Sequence, residues 1–273
     1  MTAYMIPRLS GRTKLMRDPA GIHLVFAHGW GVDESTWAPL IRSLGGSYSI
    51  SNEPVPGLAV STHGSLNTPW SIDLARVELA RRVSVVSKGL VVLIGSSASG
   101  CAALAAAEAA PRRLAGTIAI GAAARFLRSN DYDMGMTNEA AEALVGAIRV
   151  DPVKLIGALG PAALWNDTNR EASARVGDGI LATLATCSAV DRLADRYEET
   201  LRVDIRCFLP GIKIPVLLLH GELDSLAPPS AGKYLAARIQ GGRLAVMPGA
   251  GHLPHATSPD HVAAVIRTFV EQF

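Results

Sequence analysis

The stretch Leu90-Val91-Val92-Leu93-Ile94-Gly95-Ser96-Ser97-Ala98-Ser99-Gly100-Cys101-Ala102-Ala103-Leu104-Ala105-Ala106-Ala107 decides how the rest of this chain is read. Its apolar first part predicts a buried strand, and its alanine-rich last part predicts a tightly packed helix. Small residues fill the turn between them. A serine in such a strand-to-helix turn is the setting of a nucleophile elbow, whose strained backbone requires small residues two before and two after the nucleophile. Ser97 has Gly95 and Ser99 at those positions. Ser96 has bulky Ile94 two before it, and Ser99 lies half a turn into the helix with Cys101 two after it. Ser97 is therefore the expected nucleophile. From these residues alone, a close-packed junction or a phosphate-binding turn is the alternative.

Working outward, the chain alternates short apolar runs with helical spacing. Strands are expected at Ile22 to Ala27, Tyr48 to Asn52, Leu114 to Ile120, Ile214 to Leu219 and Arg243 to Met247. Helices are expected at about Glu34 to Leu44, Trp70 to Ser87, Ser230 to Ile239 and Ser258 to Phe269. Short edge strands at Tyr4-Met5-Ile6 and Lys14-Leu15-Met16 are also expected, around a Ser10-Gly11 turn. Such alternation predicts an α/β protein, with a mostly parallel sheet covered by helices on both faces.

The alternation stops between Asn138 and about Arg206, where the pattern is helical throughout. Ala141, Leu144, Val145 and Ile148 repeat at helical spacing, as do Val190, Leu193, Tyr197 and Leu201. Asp151-Pro152 predicts a cap and first-turn proline. Thr168 with Glu171 and Ser188 with Asp191 predict capping boxes. The expected organisation is a core of residues 1–124 and 208–273, with 125–207 inserted as a helical cap over the strand ends.

The totals bound the function. With 273 residues, 49% of them hydrophobic, the chain can bury a large core. A formal net charge of +2 gives no electrostatic reason to expect a nucleic-acid partner. Cys101, Cys187 and Cys207 are odd in number and widely spaced, so neither a disulfide framework nor a metal site is expected. No signal peptide is expected in Met1 to Lys14, and no apolar run approaches the roughly 20 residues needed to cross a bilayer. The expectation is a cytoplasmic protein without metal or cofactor, a monomer or weak homo-oligomer.

In open α/β sheets, ligands bind beyond the carboxyl ends of the strands. The residues there are His28-Gly29-Trp30, Ser97, the run His220 to Asp224, and Gly249-Ala250-Gly251-His252 with His255 further on. A serine, an acid and a histidine thus occur in that chain order, each at the end of an expected strand. A serine hydroxyl is a weak nucleophile at neutral pH and needs a base within reach. His252 is expected to take its proton, and Asp224 to orient the imidazole and stabilise its charged form. The backbone N–H groups of Ala98 and Trp30 are the expected oxyanion donors.

His28-Gly29-Trp30-Gly31, the Ser97 elbow, Gly221-x-x-Asp224-x-x-x-Pro228 and Gly249-x-Gly251-His252 together resemble the α/β-hydrolases over essentially the whole chain. Within them the chain is most similar to the pimeloyl-[acyl-carrier protein] methyl ester carboxylesterases of biotin synthesis. The supporting residues are Trp30 in the His-Gly-Trp-Gly loop, Asp204-Ile205-Arg206 before Ile214-Pro215, and the size of the helical insert. The resemblance implies a serine carboxylesterase acting through an acyl-enzyme on a small or carrier-bound acyl ester. It also implies that Trp30 lines the acyl site and helps form the oxyanion hole.

Ser99 and Ala59 stand where the family usually has glycine. The spacing to Pro228 favours Asp224 over Glu222 as the acid, and the Gly-x-Gly turn favours His252 over His255. His28 and His220 are expected to be structural and Cys101 to be core. Phe126 is a candidate for the acyl pocket, with Leu127 beside it. From Arg125 to Cys207 ten Lys/Arg face thirteen Asp/Glu, a net charge of −3, which gives no basic cap for an acidic carrier protein. The same fold also serves carbon–carbon bond hydrolases, lyases and non-catalytic ligand-binding homologues, whereas a haloalkane dehalogenase needs a carboxylate at the elbow.

Overall fold

Successive residues of the central strands point to opposite faces of the sheet. Leu24 and Phe26 of β1 (Ile22–Ala27), Val92 and Ile94 of β3 (Leu90–Ser96), Ile118 and Ile120 of β4 (Leu114–Ile120) and Leu217 and Leu219 of β5 (Val216–Gly221) join one buried cluster. Val25, Val91, Leu93, Ala119, Val216 and Leu218 join the other. A strand apolar on both faces must be covered on both. α1 (Ala38–Leu44) and α10 (Pro259–Val270) pack on the first face. On the second pack α2 (Ile72–Val85), α3 (Ala98–Glu108) and α8 (Pro229–Ala236). The computed structural model describes residues 21–60, 65–109 and 111–273. The edge strands expected before Ala20 lie outside the described residues.

With β2 (Ser49–Asn52) and β6 (Gly242–Met247), the six described strands run parallel in the order β2-β1-β3-β4-β5-β6. The order reverses between β1 and β3. All strand carboxyl ends therefore share one rim, and His28, Ser97 and Gly121 leave adjacent strands there. The ten residues from Ala98 to Ala107 are all buried, because small side chains let α3 lie close to the sheet.

Four helices separate β4 from β5: α4 (Asn138–Val150), α5 (Pro152–Ala163), α6 (Arg170–Ala185) and α7 (Val190–Leu201). Asp151 caps α5 as expected, accepting from Lys154 N–H. The two expected capping boxes are corrected. Thr168 donates its N–H to Gly249 O and so stays outside α6, whose cap is Asn169 accepting from Ala172 N–H. α7 starts after Ala189 with no side-chain cap. The chain leaves and re-enters the sheet region at one place: Arg125 bridges Asp204, and Ile205 N–H donates to Ala124 O over 2.9 Å.

β5 begins at Val216 rather than at the expected Ile214, because it follows Pro215, which has no N–H to donate. It runs through Gly221, which places His220 inside it. A short helix, α9 (Pro254–Thr257), follows the His252 loop. Among the described residues no helix is long and apolar enough to cross a membrane.

Candidate active site

Ser97 sits at φ 54° and ψ −122°, and no other described non-glycine residue has a positive φ. Such a backbone costs on the order of 1–3 kcal/mol and persists only where the surroundings enforce it. Here Ser97 N–H donates to Ile120 O and Ser97 O accepts from Cys101 N–H, at 2.8 and 3.1 Å. A Cβ at Gly95 would lie 2.2 Å from Ser99 O, which is the physical reason the turn needs glycine there. Ser97 is partly exposed, whereas Ser96 and Ser99 are buried. Ala98 is the first residue of α3, so its N–H has no partner within the helix and carries the positive end of the helix dipole.

Ser99 does not merely occupy the place of a glycine. Its hydroxyl donates to His28 O and joins the elbow to the loop that presents Trp30. A Cβ on Gly29 would come within 3.1 Å of Ser97 Cβ, so this loop lies directly against the elbow. His28 Nδ1 donates to Gly29 O, while Nε2 accepts from Val55 N–H. Burial lowers its pKa to about 4, so the ring is neutral and shapes the loop.

The acid and base loops meet at His252. Its Nδ1 is 2.8 Å from Asp224 Oδ2, and both residues are buried. Asp224 Oδ1 accepts from Leu226 and Ala227 N–H. The carboxylate is thus oriented by the turn that follows β5, and an Nδ1–H donated to it leaves Nε2 as the basic nitrogen. Glu222 instead accepts from Gly249 N–H and braces the histidine loop. His255 lies fully buried against Trp37, its pKa lowered to about 3 by burial. His220 is also buried, and its Nδ1 donates to Ala227 O.

Gly121, which sequence reasoning missed, has φ +56°, and a Cβ there would lie 2.9 Å from His252 Cε1 and 3.3 Å from Asp224 Oδ2. Its only signal was a glycine at the end of a strand.

Ser97, His252, Trp30 and Phe126 line one cavity of about 110 Å³. The opposite wall comes from the inserted helices, including Leu144, Ile148, Leu155, Ile156, Ile180, Leu184 and Tyr197. Leu127 lies outside it, on a surface groove between α4 and α7. Trp30 Nε1 donates to Leu193 O over 2.9 Å, and its ring packs 4.5 Å from that of Tyr197. The indole N–H is therefore committed to α7, and the backbone N–H is the group left for an oxyanion.

A wider cleft of about 760 Å³ shares Val32 and Ile180 with this cavity and holds none of the candidate catalytic residues. The arginines of the insertion are mostly neutralised locally. Arg125 and Arg206 pair with Asp204, Arg149 with Asp195, Arg196 with Glu199 and Arg202 with Glu198. Cys101, buried and donating to Ala123 O, is core as expected. Among the described residues no cluster of His, Cys, Asp or Glu is arranged to hold a metal ion.

A parallel sheet with a strained serine at one strand end and a buried histidine–carboxylate pair beside it is the plan of a hydrolase. The chain belongs to the alpha/beta hydrolase family, whose pattern it matches over residues 24–265. It is 30% identical over 246 residues to the pimeloyl-[acyl-carrier protein] methyl ester esterase of Neisseria meningitidis serogroup A, covering 89% of this chain and 75% of that one. It is 26% identical over 253 residues to the protein of the same name from Aromatoleum aromaticum, covering 90% and 97%. The solved esterase of Exiguobacterium antarcticum superposes with a TM-score of 0.79 at 19% identity, covering 92% of each chain, and shares the fold.

Proposed function

We propose that this chain is a serine carboxylesterase, with Ser97 as nucleophile, His252 as general base and acid, and Asp224 as the group that orients it. The observation that carries this reading is the buried Nδ1–Oδ2 contact of 2.8 Å between His252 and Asp224, on a histidine that lines the same cavity as Ser97. His252 takes the Ser97 proton as Oγ attacks the ester carbonyl. Ala98 and Trp30 N–H receive the oxyanion. His252 then returns the proton to the leaving alcohol, and water repeats the sequence to free the acid. No metal or cofactor enters these steps.

Residues 125–207 act as the cap in this reading, with Phe126 in the acyl pocket. An apolar wall around a single serine suits an aliphatic acyl chain better than a charged substrate. The names of the relatives make the methyl ester of a pimeloyl chain on acyl-carrier protein the favoured substrate, and a cytoplasmic biosynthetic role goes with it. The catalytic assignment is tested with Ser97→Ala on p-nitrophenyl butyrate. Turnover should fall by several decades, on the order of a million-fold if the triad behaves like others. Methyl pimeloyl-carrier protein assayed against its free methyl ester tests the substrate, and equal kcat/KM for both would remove the carrier from the reading.

A further inference from the structure

Three consecutive residues between α5 and α6 reach back to both loops that carry the histidine–carboxylate pair. Asn166 Nδ2 donates to the carbonyl of Leu223, the residue before Asp224, over 2.8 Å. Thr168 N–H donates to Gly249 O, three residues before His252, also over 2.8 Å. Between them lies Asp167, only 4% exposed. Its Oδ2 accepts from Thr257 Oγ1 and Ser258 Oγ, each at 2.9 Å, just past the His252 loop. Its Oδ1 accepts from Asn169 N–H. A carboxylate is costly to bury without such partners, so these bonds lock its position.

The sequence makes room for this contact. A Cβ on Gly251 would lie 2.0 Å from Asn166 Oδ1, and one on Gly249 2.7 Å from Thr168 Oγ1. A Cβ on Gly221 would in turn lie 2.0 Å from Gly251 O, so the acid strand and the histidine loop touch through backbone. Trp165 anchors the segment from the other side, its indole filling space that a Cβ at Gly160 or Gly177 would enter. None of residues 165–168 lines the cavity that holds Ser97.

We propose that Asn166-Asp167-Thr168 is a positioning element that holds the Asp224 and His252 loops in register and couples the placement of the inserted helices to the alignment of acid and base. This rests on the catalytic reading above. Positioning matters steeply, since a misplacement of about 1 Å can cost on the order of a hundredfold in rate.

The test compares wild type with Asn166→Ala, Ser258→Ala and Asp167→Ala on p-nitrophenyl butyrate, together with the rate of Ser97 labelling by a fluorophosphonate. Asn166→Ala should lower kcat and the labelling rate together, by about tenfold, with KM within about twofold of wild type. Ser258→Ala, which removes one of the bonds to Asp167, should do the same to a smaller extent. Asp167→Ala should be the most severe; where it fails to fold, the other two variants decide. Unchanged kcat with only a lower Tm makes the segment a structural strut and overturns the proposal. A raised KM with kcat kept makes it a substrate contact and overturns it equally. Ser97→Ala is measured alongside. If it retains turnover, the catalytic reading fails and takes this inference with it. If it loses turnover while Asn166→Ala keeps it, this inference fails alone.

Discussion

Ser99 Oγ donates to the carbonyl oxygen of His28 over 2.6 Å, so the helix that carries the elbow and the loop that carries Trp30 are joined by a buried hydrogen bond. Ser99→Ala leaves that carbonyl without this donor, at a cost of about 1–3 kcal/mol. Thermal unfolding should show Tm lowered by several degrees, with turnover reduced because Ala98 and Trp30, the proposed oxyanion donors, lose their mutual register. An unchanged Tm would show that the bond contributes nothing.

Gly95 is pressed against the backbone of Ser99, where an added Cβ would lie 2.2 Å from a carbonyl oxygen. Gly95→Ala must therefore move the elbow itself. Esterase activity is expected to fall at least tenfold, whereas Gly146→Ala, where a Cβ meets nothing within 4 Å, should keep it. Equal activities for the two variants would contradict the account of the turn.

Ile148 is 1% exposed and lines the cavity above Ser97. Ile148→Ala should cost about 2–5 kcal/mol of stability. It should also move the preference among p-nitrophenyl esters toward longer acyl chains, as measured by kcat/KM across a chain-length series. A preference that stays at the wild-type length would place the acyl chain elsewhere.

His28 and His255 are fully buried, and burial lowers their pKa values from the ordinary 6.5 to about 4 and about 3 respectively. Between those values and 6.5 the unfolded chain binds more protons than the folded one, so stability rises with pH in that window and falls on acidification. For His28 the linkage is on the order of 3 kcal/mol once both states are protonated. Urea midpoints measured from pH 7 to pH 4 should decline. A flat profile would exclude a neutral buried His28.

Cys101 is completely buried, its thiol pushed up to about 12 by burial, whereas Cys207 is exposed. A disulfide reagent at pH 8 should modify Cys207 in the native protein and reach Cys101 only after unfolding. Rapid native modification of Cys101, located by peptide mapping, would contradict the packing of α3.

The strand-helix alternation was readable because a strand buried on both faces is apolar throughout, and Leu114 to Ile120 begins and ends where expected. The elbow was readable for a similar reason, since the crowding of Gly95 against Ser99 is a local constraint that leaves small residues in the sequence. Capping was less readable. Thr168 has the right residue type, yet a distant carbonyl on Gly249 claims its N–H, and Asn169 caps α6 instead.

By itself, then, the sequence determined the α/β alternation, the place of the helical insertion and the order of the candidate serine, acid and histidine. These follow from periodicity and from contacts between near neighbours in the chain. Only the tertiary structure decided which residues of the insertion face Ser97 and that Trp30 is held by Leu193. It likewise decided that Gly121 lies against the His252–Asp224 pair, and that Asn166 to Thr168 fasten the loops carrying it. The hydrogen bonds among those contacts join residues from 57 to 163 positions apart, and no local pattern records which partner a polar group will find once the chain is folded.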